Sequence, residues 1–441
     1  MNLLFISLGC DKNLVDSEVM LGILEAGGYQ IVDDEMQADV IVINTCCFIH
    51  DAKEESIQTI LEMAEYKKTG RLKVLIVAGC LAQRYQQEIR TEIPEVDAVL
   101  GTASYDQIVQ SIEEALAGQG GVRLAELDTL PAVQERRLVT TGGHYAYLKI
   151  AEGCDKHCTY CIIPKLRGNY RSVPMERLLK EAGELADQGV KELILVAQET
   201  TLYGKDLYGE KSLHRLLKEL CRIGGLRWIR ILYCYPEEIY DGLIQVMKEE
   251  KKICHYIDLP VQHANDEILR RMGRRTSRKQ LGEIVGKLRK EIPDIAIRTT
   301  LITGFPGETK EQHEELMEFV DEIEFDRLGV FTYSPEEDTP AADLPDQIPE
   351  EVKEERQAEL MELQQEVVFA QAEEMIGREV LVMIEGKVAD EDAYVGRTYR
   401  DAPNVDGLIF INTQEEMMSG DFARVRVTGA LEYDLIGELI S

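Results

Sequence analysis

Residues 153–161 read Gly153-Cys154-Asp155-Lys156-His157-Cys158-Thr159-Tyr160-Cys161. Three cysteines stand at a CxxxCxxC spacing inside one short loop. Thiolate is a soft ligand, and cysteines this close can reach neighbouring irons of a single iron–sulfur cluster. The set is one ligand short of four. It therefore suits a four-iron cluster with one iron open to chemistry, whereas a structural site closes every position. The competing reading is a structural zinc loop. A zinc ribbon wants a second CxxC pair at ribbon distance, and none follows Cys161.

The loop resembles the signature of the radical S-adenosylmethionine (SAM) enzymes, down to the aromatic residue before the third cysteine, here Tyr160. The resemblance implies a [4Fe–4S] cluster on Cys154, Cys158 and Cys161. It implies SAM chelated to the open iron and split by an electron into methionine and a 5′-deoxyadenosyl radical.

Composition narrows the setting. The chain has 441 residues, enough for two or three domains, with 49 basic against 81 acidic residues and a net charge of −32. That balance argues against a general nucleic-acid binder and favours a basic partner or simple solubility. The start, MNLLFISLGC, lacks a basic flank and runs straight into a strand pattern, so no signal peptide is read. No apolar run spans a membrane. Ten cysteines without a secretory signal point to a reducing cytoplasm and to metal ligands rather than disulfides.

Upstream, residues 1–117 read as an α/β domain. Apolar strands at Leu3–Ser7, Val40–Asn44, Val74–Ala78 and Ala98–Leu100 alternate with helical patterns at 16–26, 52–68, 84–92 and 106–117, which predicts a parallel sheet covered on both faces. Cys10, Cys46 and Cys80 each fall just past a different strand, hence at the carboxyl edge where open α/β sheets build sites. A lone cysteine there reads as a small buried residue. Three of them, two beside Gly9 and Gly79, predict a second three-thiolate cluster. Cys47, Cys221, Cys234 and Cys254 read as core. Residues 118–143 are turn-rich and read as a linker containing Pro131.

From residue 144 to 370, six strand–helix units predict a βα-barrel, full or partial, whose site is built by the loops after the strands. Those loops carry Gln198-Glu199-Thr200-Thr201, Gln262-His263 and Gly304-Phe305-Pro306-Gly307-Glu308. Gln198, Glu199, Thr200, Gly304 and Pro306, with Tyr160, are the candidate SAM contacts. Glu308 is also an acid at a helix start, and a lone His263 is more often a hydrogen-bonded loop residue than a base. Arg274 and Arg275 belong to a basic run that reads as a solvated helix end or as a contact for an acidic group. Residues 371–441 turn to short β patterns and predict a small antiparallel, OB-like β-barrel. That module holds 15 acidic residues against 6 basic ones.

This order of parts resembles the methylthiotransferases, radical SAM enzymes that insert sulfur and a methyl group at an unactivated C–H. The strings Ser7-Leu8-Gly9-Cys10-Asp11-Lys12-Asn13, Pro164-Lys165-Leu166-Arg167-Gly168 and Tyr399-Arg400-Asp401-Ala402-Pro403 resemble the branch that modifies an aspartate of ribosomal protein S-twelve. Asp11 stands where that branch commonly has proline. The resemblance implies a TRAM-type C-terminal barrel and two [4Fe–4S] clusters, the second carrying the sulfur to be donated. It implies two SAM molecules, one to methylate that sulfur and one to give the radical. It also implies an electron donor, flavodoxin or similar, a sulfur donor, a basic small-subunit ribosomal protein as substrate, no stable transfer-RNA binding and no membrane. Two other readings remain: a transfer-RNA adenosine methylthiotransferase, and a non-catalytic iron–sulfur binding protein.

Overall fold

A computed structural model describes residues 1–130 and 137–440; Pro131 lies outside them. The chain divides into two compact units, the first made of residues 1–140, 151–173 and 336–342 and the second of the rest.

The first unit is built on a six-stranded sheet. Its strands are β1 (Asn2–Ser7), β2 (Gln30–Ile31), β3 (Val40–Thr45), β4 (Val74–Gly79), β5 (Ala98–Leu100) and β6 (Val122–Arg123). All pairs are parallel, in the order β2-β1-β3-β4-β5-β6. β3 and β4 are buried at every residue, as parallel strands covered on both sides must be. Successive side chains alternate between two cores. Val40, Val42, Val74 and Ile76 meet Met20, Leu24, Ile108 and Ile112 from the helices Asp11–Ala26 and Ile108–Leu116. Ile41, Ile43, Leu75 and Val77 meet Ile60, Met63 and Ile89 from the helices His50–Ala64 and Gln86–Glu92. Val122–Arg123 fall inside the stretch read as linker; hydrogen bonding to β5 makes them the last strand. The first helix starts at Asp11 rather than Asp16, because its opening turn of Asp11, Lys12 and Asn13 carries no apolar periodicity.

Residues 151–173 also pack in this unit, with Ile162 and Leu166 in the same core as Ile60 and Val77. The loop of Cys154, Cys158 and Cys161 thus shares a core with the N-terminal sheet. Sequence periodicity identifies elements but does not say whose core they join.

In the second unit, β7 (Tyr145–Lys149), β8 (Glu192–Val196), β9 (Trp228–Ile231), β10 (Tyr256–Asp258), β11 (Ala296–Thr303) and β12 (Arg327–Thr332) are parallel. The trios β7-β8-β9 and β10-β11-β12 are stitched by the Ile229–Ile253 bridge and by Cys234 N donating to Asp258 O at 2.9 Å. Among the described residues β7 and β12 do not pair, so the βα-barrel is partial.

Five further strands close a small barrel in the ring order β13-β14-β15-β17-β16. They are β13 (Glu379–Lys387), β14 (Ala393–Arg397), β15 (Ile409–Asn412), β16 (Phe422–Leu431) and β17 (Asp434–Leu439). Four of the five pairs are antiparallel, as expected of this barrel, and β15–β17 is parallel. A closed ring with an odd number of strands cannot alternate throughout.

Buried ion pairs join this barrel to the βα-barrel. Glu192 receives Arg230 and Arg397, each at 2.7 Å, and Arg397 also donates to Glu385 at 2.7 Å. Glu192 opens β8, so the junction lies toward the amino ends of the strands, away from the loops read as the site. Among the described residues no helix is long and apolar enough to cross a membrane.

Candidate active site

Register places the first cysteine set. β1, β3 and β4 lie side by side with Ser7 opposite Asn44 and Thr45 opposite Gly79, so Cys10, Cys46 and Cys80 leave one sheet edge. Gly9 has φ +90°, and a Cβ there would fall 2.6 Å from Cys46 Cβ and 2.9 Å from its Sγ. Only glycine allows this approach. Two buried asparagines fix the ends: Asn13 Nδ2 donates to Leu8 O at 2.6 Å, and Asn44 Nδ2 donates to Asn13 O at 3.0 Å. Ser56 Oγ donates to Cys46 O at 2.8 Å. Burial first, then the nearby Cys80 and Cys10, push the Cys46 thiol up to about 12. Thiols crowded in this way bind protons strongly, and a metal group would take the protons' place.

The second set sits between the short antiparallel strands Ala151–Glu152 and Arg171–Ser172. Cys154 N donates to Gly168 O at 3.1 Å, and Cys161 N to Cys158 O at 3.0 Å. His157 adopts a left-handed φ of 51° to turn the loop. Cys154 and Cys158 are buried, while Cys161 and Tyr160 are half-buried. Burial, then Cys158 and Cys154, push the Cys161 thiol up. Among the described residues no three His, Cys, Asp or Glu side chains converge on a single ion. A four-iron cluster takes one thiolate per iron and asks for no such convergence. The donor chemistry of both sets fits it.

The other candidates lie on loops of the second unit. Thr200 is fully buried, and its hydroxyl donates to Leu232 O at 2.8 Å, tying the loop after β8 to the end of β9. Glu199 is fully buried and accepts from Thr201. Gln198 is half-buried beside it. Gly304 has φ +70°, and its open side is filled by Lys353, whose Cγ would lie 2.3 Å from a Cβ. Pro306 is buried in the same turn. Sequence patterns did not reveal that Tyr233 and Gln262, in the segments that follow β9 and β10, are both left-handed, at φ 60° and 69°. Backbone held this way by non-glycine residues clusters at ligand sites.

His263 is fully buried. Its Nδ1 accepts from Asn265 N at 3.0 Å, and its Nε2 lies 3.7 Å from Glu308. Glu308 accepts from Phe305 N at 3.1 Å and pairs with Arg356 at 3.0 Å. Arg274, read as a contact for an acidic group, is buried: it donates to Pro260 O at 2.9 Å and stacks 4.4 Å from the Tyr235 ring. Arg275 instead lines a surface cleft with Glu237, Gln280 and Lys287.

Over 437 residues the chain is 64% identical to a protein of Lachnoclostridium phytofermentans named ribosomal protein uS12 methylthiotransferase RimO, covering 99% of each. It is 49% identical to the protein of that name from Clostridioides difficile, covering 98% of each. The chain belongs to the RimO family of methylthiotransferases. Residues 2–101 match an uncharacterized family, UPF0004, residues 148–320 the radical SAM superfamily, and residues 376–440 the TRAM domain. The fold is shared with TsrM of Kitasatospora setae, a radical SAM methyltransferase (TM-score 0.57, 15% identity, 88% of this chain and 79% of that one). It is shared too with OxsB, a cobalamin-dependent SAM radical enzyme (TM-score 0.51, 12% identity, 82% and 56%). Both cysteine sets of this RimO-family chain lie in its first unit. Asn13, Asn44 and Arg167, which hold that region, went unmarked as site residues, because nothing in a sequence tells a buried asparagine or arginine from a surface one.

Proposed function

We propose that this chain attaches a methylthio group to the β-carbon of an aspartate in ribosomal protein uS12. The supporting observation is full-length identity of 64% to a relative bearing that name. In this reading Cys154, Cys158 and Cys161 hold one [4Fe–4S] cluster, and Cys10, Cys46 and Cys80 hold a second. When bound, these groups and two molecules of SAM supply the electron, the radical, the methyl group and the sulfur. The protein's own residues position them and keep water out. On the second unit, Gln198, Glu199, Thr200, Gly304 and Pro306 form the loops proposed to take SAM; on the first, Tyr160 lies beside the third cysteine. Thr200 acts by fixing its loop, as its hydroxyl is already committed to backbone.

The TRAM module favours a basic protein over nucleic acid. Gripping phosphate needs free Lys and Arg. Of its 6 basic residues, Arg397 and Arg400 are consumed by Glu192, Glu385 and Asp326, and Arg424 and Arg426 are paired with Glu379. Its acidic excess attracts a cationic partner. The work belongs in the cytoplasm, with a flavodoxin-like electron donor and a separate sulfur donor.

The deciding experiment offers the reconstituted, reduced enzyme both purified uS12 and transfer RNA with SAM. Mass spectrometry should place the added sulfur and methyl on a uS12 aspartate. Methylthiolation of the RNA with uS12 untouched overturns the substrate assignment.

A further inference from the structure

Arg167 ends the short helix Ile163–Arg167 that follows Cys161, and its side chain is 3% exposed. Its guanidinium divides between two tasks. Nη1 meets Asp16 Oδ2 at 2.6 Å and Glu152 Oε2 at 3.3 Å. Nη2 meets Asn13 Oδ1 at 3.1 Å and Cys80 Sγ at 3.5 Å. One buried cation thus spans the segment of the CxxxCxxC loop and the sheet edge of the other cysteine set, all within the first unit. Asn13 is itself fixed by Leu8 O, so Nη2 is steered toward the sulfur rather than resting there by default.

We infer that Arg167 is a positioning residue for the second cluster: its N–H bond to Cys80 Sγ sets that cluster's reduction potential. The inference rests on the reading that Cys10, Cys46 and Cys80 hold a cluster. Hydrogen bonds to cluster sulfurs and local net charge are the protein's main levers on such potentials. A cation donating to a ligand sulfur stabilises the reduced, more negative state. A role confined to pairing Asp16 and Glu152 would leave the potential unchanged in a variant that keeps the charge.

The test isolates the second cluster in the full-length chain carrying Cys154→Ala, Cys158→Ala and Cys161→Ala, reconstituted anaerobically and titrated with redox mediators under EPR. Arg167→Lys keeps the charge for Asp16 and Glu152 but cannot also fork to Cys80. Arg167→Met loses both. The midpoint should fall from parent to Arg167→Lys to Arg167→Met, with at least a tenfold change in the reduction equilibrium for the last, about 59 mV for a one-electron couple. Equal midpoints for the parent and a loaded Arg167→Lys overturn the inference. Should neither variant load, pulsed EPR of the parent with isotopically labelled arginine decides: a guanidinium nitrogen coupling supports the bond, and its absence overturns it. A parent that holds no cluster at all counts instead against the two-cluster reading.

Discussion

At the scale of single residues, the proposed reading gives the two cysteine sets separable work. Anaerobic reconstitution should load about eight irons per chain, from two four-iron clusters. Replacing Cys154, Cys158 and Cys161 with Ala should leave about half the iron and abolish 5′-deoxyadenosine formation. Replacing Cys10, Cys46 and Cys80 should abolish methylthio transfer while SAM cleavage persists. Iron analysis and chromatography of the nucleoside check both. His263 gives a pH signature. Burial first, then His313 and Arg356, hold it down at about 3, whereas an unfolded imidazole titrates near 6.5. Between those values the unfolded chain takes up a proton that the folded chain refuses. This contribution is therefore complete above about 6.5 and lost as pH falls toward 3, by at most about 1.4 kcal/mol per pH unit. Glu308, 3.7 Å away, is raised by burial and contributes with the opposite slope. Comparing the parent with His263→Gln isolates the imidazole: melting of the variant should fall less between pH 6.5 and 5. The positions of all six cysteines were legible because each follows a recognisable strand or sits in a short motif. Arg167 was not, since its importance lies in what it faces across 87 residues of sequence.

Among elements, the junction of βα-barrel and TRAM barrel makes the sharpest demand. Arg397 is 1% exposed and holds Glu192 and Glu385. Removing one partner of a buried network leaves charge uncompensated, at a cost of about 3–5 kcal/mol. Arg397→Met should destabilise the second unit by that order in chemical denaturation. Adding Glu385→Gln, which leaves Glu192 its pair with Arg230, should recover part of the loss, which a simple packing role for Arg397 would not allow. Strands and helices here were readable from apolar periodicity, as at Ala98–Leu100, where expected and observed limits coincide. Which core an element joins was not readable: residues 151–173 follow β7 in sequence but pack with the N-terminal sheet. Nor was the parallel β15–β17 pair, which comes from ring closure rather than from either strand's sequence.

For the whole molecule, charge governs encounter. A net charge of −32 should draw a basic ribosomal protein from a distance. Such steering is screened within about 8 Å at physiological ionic strength and about 3 Å at 1 M. Association with uS12 should thus slow steeply between low and high salt, with the dissociation rate changing less; surface plasmon resonance across a salt series measures both. A salt-independent association rate would contradict the electrostatic reading. The N-terminal sheet bears on the chain's company in another way. Its outermost strands, Gln30–Ile31 and Val122–Arg123, are two residues each. A foreign strand docking there would find only a couple of backbone groups to bond, too few to seed stacking of chain upon chain. Whatever fills its cysteine sites, the chain presents little backbone at either border of this sheet for another copy to extend.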